Sequence, residues 1–79
     1  MSNYVRCVRS NLAAEISRRD LTQARAAELA GLTAEGLSKR MSGQVEFRLG
    51  ELIRLARALN VPFATVVAGL DEMSDEVPA

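Results

Sequence analysis

The side chains able to do covalent or acid–base chemistry in this chain of 79 residues are few. There is no histidine, the commonest general base, and the single Cys7 has no imidazole to activate it. One cysteine closes no intramolecular disulfide, and without histidine it builds no zinc framework. Carboxylates cluster only at Asp71, Glu72, Asp75 and Glu76, a segment that lacks the glycine and the alternating ligand spacing of a calcium loop. A solvated acidic tail is the plainer reading of that segment. Gly31, Gly36 and Gly43 miss the spacing of a dinucleotide or Walker-type phosphate loop. No residue set supports an enzyme, and none implies a cofactor, a metal or a small-molecule ligand.

What remains is recognition chemistry, concentrated in the stretch T-Q-A-R-A-A-E-L-A-G-L-T-A-E-G-L-S-K-R-M-S-G from Thr22 to Gly43. Its elements follow from caps and periodicity. Thr22 is a good N-cap for a short Ala-rich helix from Gln23 to about Ala30, which Gly31 can end in a left-handed conformation. Thr33 caps a further helix running to Ser42, with Glu35 well placed in the first turn and Gly43 as the stop. Two short helices joined by a turn containing Gly form a helix-turn-helix layout.

The flanking segments supply the rest of an all-α fold. Val5, Val8, Leu12 and Ile16 recur at spacings of three and four, so a first amphipathic helix is expected from Asn3 to about Arg19, capped by Ser2 or Asn3. Arg18 and Arg19 in its last turn suit the helix dipole. Gln44 to Phe47 reads as a loop. Leu49, Leu52, Ile53, Ala56 and Leu59 mark a fourth helix through Asn60. Pro62 then suits a first helical turn, and Phe63, Val66, Val67 and Leu70 form an apolar stripe on a fifth helix. With three aromatic residues (Tyr4, Phe47, Phe63), aliphatic side chains and alanines must fill the core, a composition suited to closely packed small helices. The chain is long enough for one domain, expected over residues 1–70, followed by an acidic tail over 71–79.

These features together resemble the helix-turn-helix domains of Cro and phage-repressor type, also called Xre-like. Three places carry the likeness: Thr22-Gln23 opening helix two, Ala27 with Ala30-Gly31-Leu32-Thr33 at the turn, and L-G-E-L-I-R-L-A-R-A-L-N-V from Leu49 to Val61 as the fourth helix. It covers about residues 5 to 70. Departures occur at Gly36, inside helix three, at Arg40 and Met41, which replace a more usual apolar and acidic pair, and at Ala26, where a larger core residue is common. Gly36 allows either a close approach of backbone to DNA or simple tolerated drift.

The resemblance implies a five-helix repressor-like fold that places helix 33–42 in the major groove of double-stranded DNA. A helical wheel with Leu37 as the core anchor turns Glu35, Lys39 and Ser42 outward, flanked by Ser38 and Gly36. By the family's pattern the base-reading residues are Ala34, Glu35, Ser38 and Lys39. Lys39 can donate to guanine O6 and N7, Glu35 can accept from cytosine N4, and the Ala34 methyl can meet a thymine methyl. Glu35 reads equally well as a first-turn acid that stabilises the helix dipole. Phosphate contacts carry over to Gln23 at the start of helix two and to Ser42, Gln44 and Arg48 around the third loop, and Arg40 at the edge of the helical wheel can reach toward the DNA backbone.

A single helix-turn-helix reads few base pairs, so a homodimer on an inverted-repeat operator is expected, with Phe63, Val66, Val67 and Leu70 as its interface. The same four residues could instead complete the monomer core. Cys7 reads as a passive, half-exposed thiol. The implied function is a Cro-like transcriptional repressor, of phage or immunity-repressor kind, that occupies an operator and excludes polymerase. The alternative is a protein-interaction module on the same fold, antitoxin-like or an accessory partner, working through helix five and the acidic tail. No apolar run reaches a membrane span, and Arg6 and Arg9 interrupt any signal-like segment, so a cytoplasmic protein of a bacterial or phage-infected cell is expected.

Charge qualifies this picture. Ten basic and ten acidic residues give a net charge of zero, which argues against a nucleic-acid binder at first sight. Division of the chain removes the objection: residues 1–60 hold all ten basic residues and six acidic ones, while residues 61–79 hold four acids and no base. The body therefore carries an excess of four positive charges, enough for phosphate contacts but predicting a shallower salt dependence than strongly basic binders show.

Overall fold

The computed structural model describes residues 3–70, and among them there are five α-helices and no strand. The expected tail over 71–79 and the Ser2 cap lie outside the described residues. Helix α1 spans Asn3–Arg18, α2 Gln23–Leu29, α3 Ala34–Met41, α4 Leu49–Ala58 and α5 Phe63–Val66.

Both threonine caps form. Thr22 Oγ1 accepts the Arg25 N–H at 3.0 Å and Thr33 Oγ1 accepts the Gly36 N–H at 2.9 Å, satisfying donors that the first helical turn leaves open. Gly31 takes φ +75° in the turn between α2 and α3, a conformation that costs a residue without Cβ little. The Leu32 N–H closes the turn on the Ala27 carbonyl at 2.8 Å. Helices α2 and α3 each stop one residue before the expected end, at Leu29 and Met41, with Ala30 and Ser42 as the terminal caps.

The core gathers Val8, Leu12 and Ile16 of α1, Ala26, Ala27 and Ala30 around α2, Leu37 of α3, Leu52, Leu55, Ala56 and Leu59 around α4, and Val66 of α5. Ala26 has no exposed surface, so its small size lets α2 lie close to its neighbours. Burying side chains of Leu or Val size contributes about 1.5–3 kcal/mol each. The apolar stripe of α4 differs from expectation. Leu49 is 64% exposed and Ile53 only half-buried, whereas Leu55 is wholly buried. The buried side of α4 runs through Glu51, Leu52, Leu55 and Ala56, and Leu49 and Ile53, four residues apart, lie at its margin.

Helix α5 is also shorter than its apolar pattern suggests, and Pro62 precedes it as the N-cap residue. Past Val66 the chain turns, and Gly69 takes φ +93°. Side chains of α1 meet this turn. Asn11 Nδ2 donates to the Val66 and Ala68 carbonyls at 2.8 and 2.9 Å, and the Cys7 thiol donates to the Ala68 carbonyl at 2.9 Å. Groups on α1 thus take the acceptors of the turn that follows α5 and hold the end of the domain against α1. Among the described residues no helix is long and apolar enough to cross a membrane.

Candidate nucleic-acid interface

Leu37, with no exposed surface, anchors α3 in the core. Around it the 3.6-residue period turns Ala34, Glu35, Ser38 and Lys39 to solvent, and all four are exposed. The structure therefore brings the expected base-reading residues together on one face of the second helix of the helix-turn-helix. Lys39 Nζ lies 3.3 Å from Glu35 Oε1, one helical turn away. An exposed pair at this spacing is worth only about 0.3–0.5 kcal/mol. The pair presents a donor and an acceptor side by side on the exposed face.

The residues expected at phosphates divide into two groups. Gln23 opens α2 and is half-buried, while Ser42, Gln44 and Arg48 are exposed after α3 and at the start of α4. The Ser42 hydroxyl donates to the Lys39 carbonyl at 3.0 Å and the Gln44 N–H donates to the same carbonyl at 2.9 Å, which fixes the turn after α3.

Arg40 behaves differently from expectation. Its Nε donates to Glu51 Oε1 at 2.8 Å and its Nη1 donates to the Gly36 carbonyl at 2.9 Å, with the side chain only 17% exposed. Moving it to a phosphate would strand a buried carboxylate, and an uncompensated buried charge costs several kcal/mol. Arg40 therefore holds α3 against α4 and is a positioning residue. Glu51 is the residue that sequence reasoning missed. Its Oε1 also accepts the Arg48 backbone N–H at 2.8 Å, half of a capping box at the start of α4. The spacing of a glutamate three residues after the cap was the available signal. The Arg40 hydrogen bond lowers the Glu51 pKa against the opposing effect of burial, with a further contribution from the Arg48 N–H.

Gly36 has a local explanation as well. A Cβ there would lie 2.8 Å from Thr33 Oγ1 and 3.4 Å from Arg40 Nη1, so the capping threonine and the arginine occupy the space of a side chain. At the other end of the domain, Val66 is wholly buried and so fills the core of the protomer instead of offering an interface. Phe63 is 37% exposed and Val67 and Leu70 are half-buried. They line an apolar groove with Val8, Tyr4 and Leu49, the last two 44% and 64% exposed. Among the described residues no group of His, Cys, Asp and Glu could hold a metal ion.

A family model described as helix-turn-helix matches residues 13–66, from the middle of α1 to the last residue of α5. No curated protein and no solved structure matches the chain.

Proposed function

We propose, from the premise that the chain belongs to the Cro/C1-type (Xre-like) helix-turn-helix family of DNA-binding regulators, that it is a sequence-specific repressor. It acts in the cytoplasm of a bacterial or phage-infected cell, where it occupies an operator and excludes polymerase. Helix α3 enters the major groove, Lys39 and Glu35 address a guanine and a cytosine, Ser38 adds an adaptable hydroxyl and Ala34 meets a thymine methyl. Gln23, Ser42, Gln44 and Arg48 set the register on the phosphates. The observation that carries the reading is the shared exposed face of Ala34, Glu35, Ser38 and Lys39, on a helix pinned from behind by Leu37 and by the Arg40–Glu51 pair.

The operator is an inverted repeat read by a homodimer, because two copies of α3 one helical turn apart multiply the sequence information. The apolar groove of Tyr4, Leu49, Phe63, Val67 and Leu70 supports the second copy as its occupant, since three of these large side chains are substantially exposed on one small surface. Fluorescence anisotropy with duplexes from the promoter beside its own gene, at several salt concentrations, tests the function. Saturable binding that weakens with salt and exceeds binding to random duplex is expected. An absent or salt-independent response refutes it.

A further inference from the structure

The apolar groove and the surface expected at phosphates meet at three consecutive residues. Phe47 and Leu49 line the groove together with Val8 and Leu52, and the residue between them is Arg48. Arg48 has φ −90° and ψ 150°, an extended backbone in which successive side chains leave on opposite sides. With Phe47 and Leu49 on the groove side, Arg48 is turned to the other side, where it is exposed.

Hydrogen bonds hold the backbone of Arg48 on its helical side. Its N–H donates to Glu51 Oε1 at 2.8 Å, and its carbonyl accepts the Glu51 and Leu52 N–H groups at 3.0 and 3.1 Å. On the loop side the backbone bonding stops at Gln44 and Val45, whose N–H groups share the Lys39 carbonyl at 2.9 and 3.3 Å. Among the described residues neither Glu46 nor Phe47 makes a backbone–backbone hydrogen bond. What ties this stretch to the domain is the half-buried Phe47 ring, packed against the core. An arginine loses much rotamer freedom when it holds one geometry, so a backbone that is already set lowers the cost of its contact.

We infer that Phe47 is a positioning residue for DNA binding: its ring, seated in the groove, sets the direction from which Arg48 reaches a backbone phosphate. This deepens the DNA-binding reading above and rests on it. Phe47 itself touches no DNA. The share of the affinity that it controls carries no sequence information, because phosphate contacts position the protein without reading bases.

Salt-dependent anisotropy titrations of the full chain test it, with wild type, Arg48→Gln, Phe47→Ala, Phe47→Leu and the combined Phe47→Ala, Arg48→Gln variant on promoter and random duplexes. Arg48→Gln and Phe47→Ala should each flatten the slope of log affinity against log salt by about 0.9, the share of one phosphate contact, equally on both duplexes. The combined variant should flatten it no further, and Phe47→Leu, which keeps a large apolar anchor, should hold the slope near that of wild type. If Phe47→Ala is unfolded at the titration temperature, Phe47→Val replaces it with the same expectation, since it too leaves most of the ring's place empty. A ring that only stabilised the fold would lower the melting temperature and leave the slope of the folded protein unchanged. That result overturns the inference and leaves the DNA-binding reading standing. Losses that add in the combined variant, or a Phe47→Leu slope as flat as that of Phe47→Ala, overturn it as well. An Arg48→Gln slope equal to that of wild type takes Arg48 off the phosphates and the inference with it. A wild type without salt-dependent binding overturns both readings.

Discussion

The guanidinium of Arg40 on α3 donates through Nε to Glu51 Oε1 on α4 at 2.8 Å, with the two side chains 17% and 8% exposed. The same carboxylate oxygen accepts the Arg48 N–H, so one buried group joins the recognition helix to the start of the next helix. The direction in which Lys39 and Glu35 point is thereby set by a charge contact behind them, as well as by the packing of Leu37.

Replacing Glu51 by Ala removes the helix cap and leaves Arg40 without its carboxylate. A loss of about 2–4 kcal/mol in urea denaturation is expected, because the lost hydrogen bonds involve charged groups in a poorly solvated place. Arg40→Ala should cost at least as much, since it leaves the buried Glu51 carboxylate with only the Arg48 N–H. In a double-mutant cycle the pair should couple by about 1–3 kcal/mol, and additive losses would show that the contact does not join the helices.

Stability should depend on pH through the same residue. The Arg40 hydrogen bond holds the Glu51 pKa below its ordinary value of 4.5 despite burial, and the Arg19 hydrogen bond lowers that of Glu15 against burial, with help from the charge of Arg18. A carboxylate whose pKa is depressed in the folded state stabilises the fold fully above its unfolded pKa. As pH falls through and below about 4.5, the unfolded chain takes up protons first, so stability declines toward the folded pKa. Thermal melts between pH 7 and pH 3 should show the midpoint falling in the acid range, and less steeply in Glu51→Gln. A midpoint constant over that range would contradict the role of both carboxylates.

Gly36→Ala should destabilise the domain although alanine is the better helix former by about 1 kcal/mol. The new Cβ would stand 2.8 Å from Thr33 Oγ1, and the threonine must shift and weaken its bond to the Gly36 N–H. Overpacking of this kind costs about 1–3 kcal/mol, which exceeds the propensity gain. The same substitution made in Thr33→Ala, where the obstructing oxygen is gone, should instead be neutral or stabilising. Equal effects in the two backgrounds would remove the steric explanation.

The features legible in the sequence are those whose causes are local. Thr22 and Thr33 cap helices within three residues of themselves, Gly31 supplies a turn that its neighbours require, and the 3.6-residue period around Leu37 separates the outward positions of α3. Illegible features depend on distant partners. Arg40 lies at the edge of the helical wheel and its side chain could reach either way, so only the presence of Glu51, eleven residues on, decides its direction. The apolar pattern from Phe63 to Leu70 satisfies a helix, yet Asn11 captures the Val66 and Ala68 carbonyls from 55 and 57 residues away, where the helix has already given way to turns. Leu49 fits the apolar spacing of α4 but lies at the margin of the side that Glu51, Leu52, Leu55 and Ala56 bury.

Lys39 and Arg48 should separate base reading from positioning. Lys39→Ala removes a donor from the exposed face of α3, so operator affinity should fall about tenfold, for a contact of about 1–3 kcal/mol, with preference relaxed at one base position. Arg48→Ala should weaken operator and random duplexes alike and flatten the salt slope by about one unit, while the Arg48 backbone N–H still bonds to Glu51. Competition titrations against duplexes altered one position at a time distinguish them. Equal losses on operator and random DNA for Lys39→Ala would remove it from the base-reading set.

The apolar groove makes the oligomeric state testable residue by residue. Leu49 is 64% and Phe63 37% exposed in the protomer, so aspartate at either place removes less core than it would at a buried position. In a dimer that closes over the groove, however, each new carboxylate would be buried without a partner, at a cost of several kcal/mol. Leu49→Asp and Phe63→Asp should therefore melt cooperatively yet sediment as monomers, and bind a duplex with two half-sites little better than one with a single half-site. Val66→Asp should unfold the domain, because Val66 has no exposed surface within the protomer. Dimers that persist in both Leu49→Asp and Phe63→Asp would place the interface on another face.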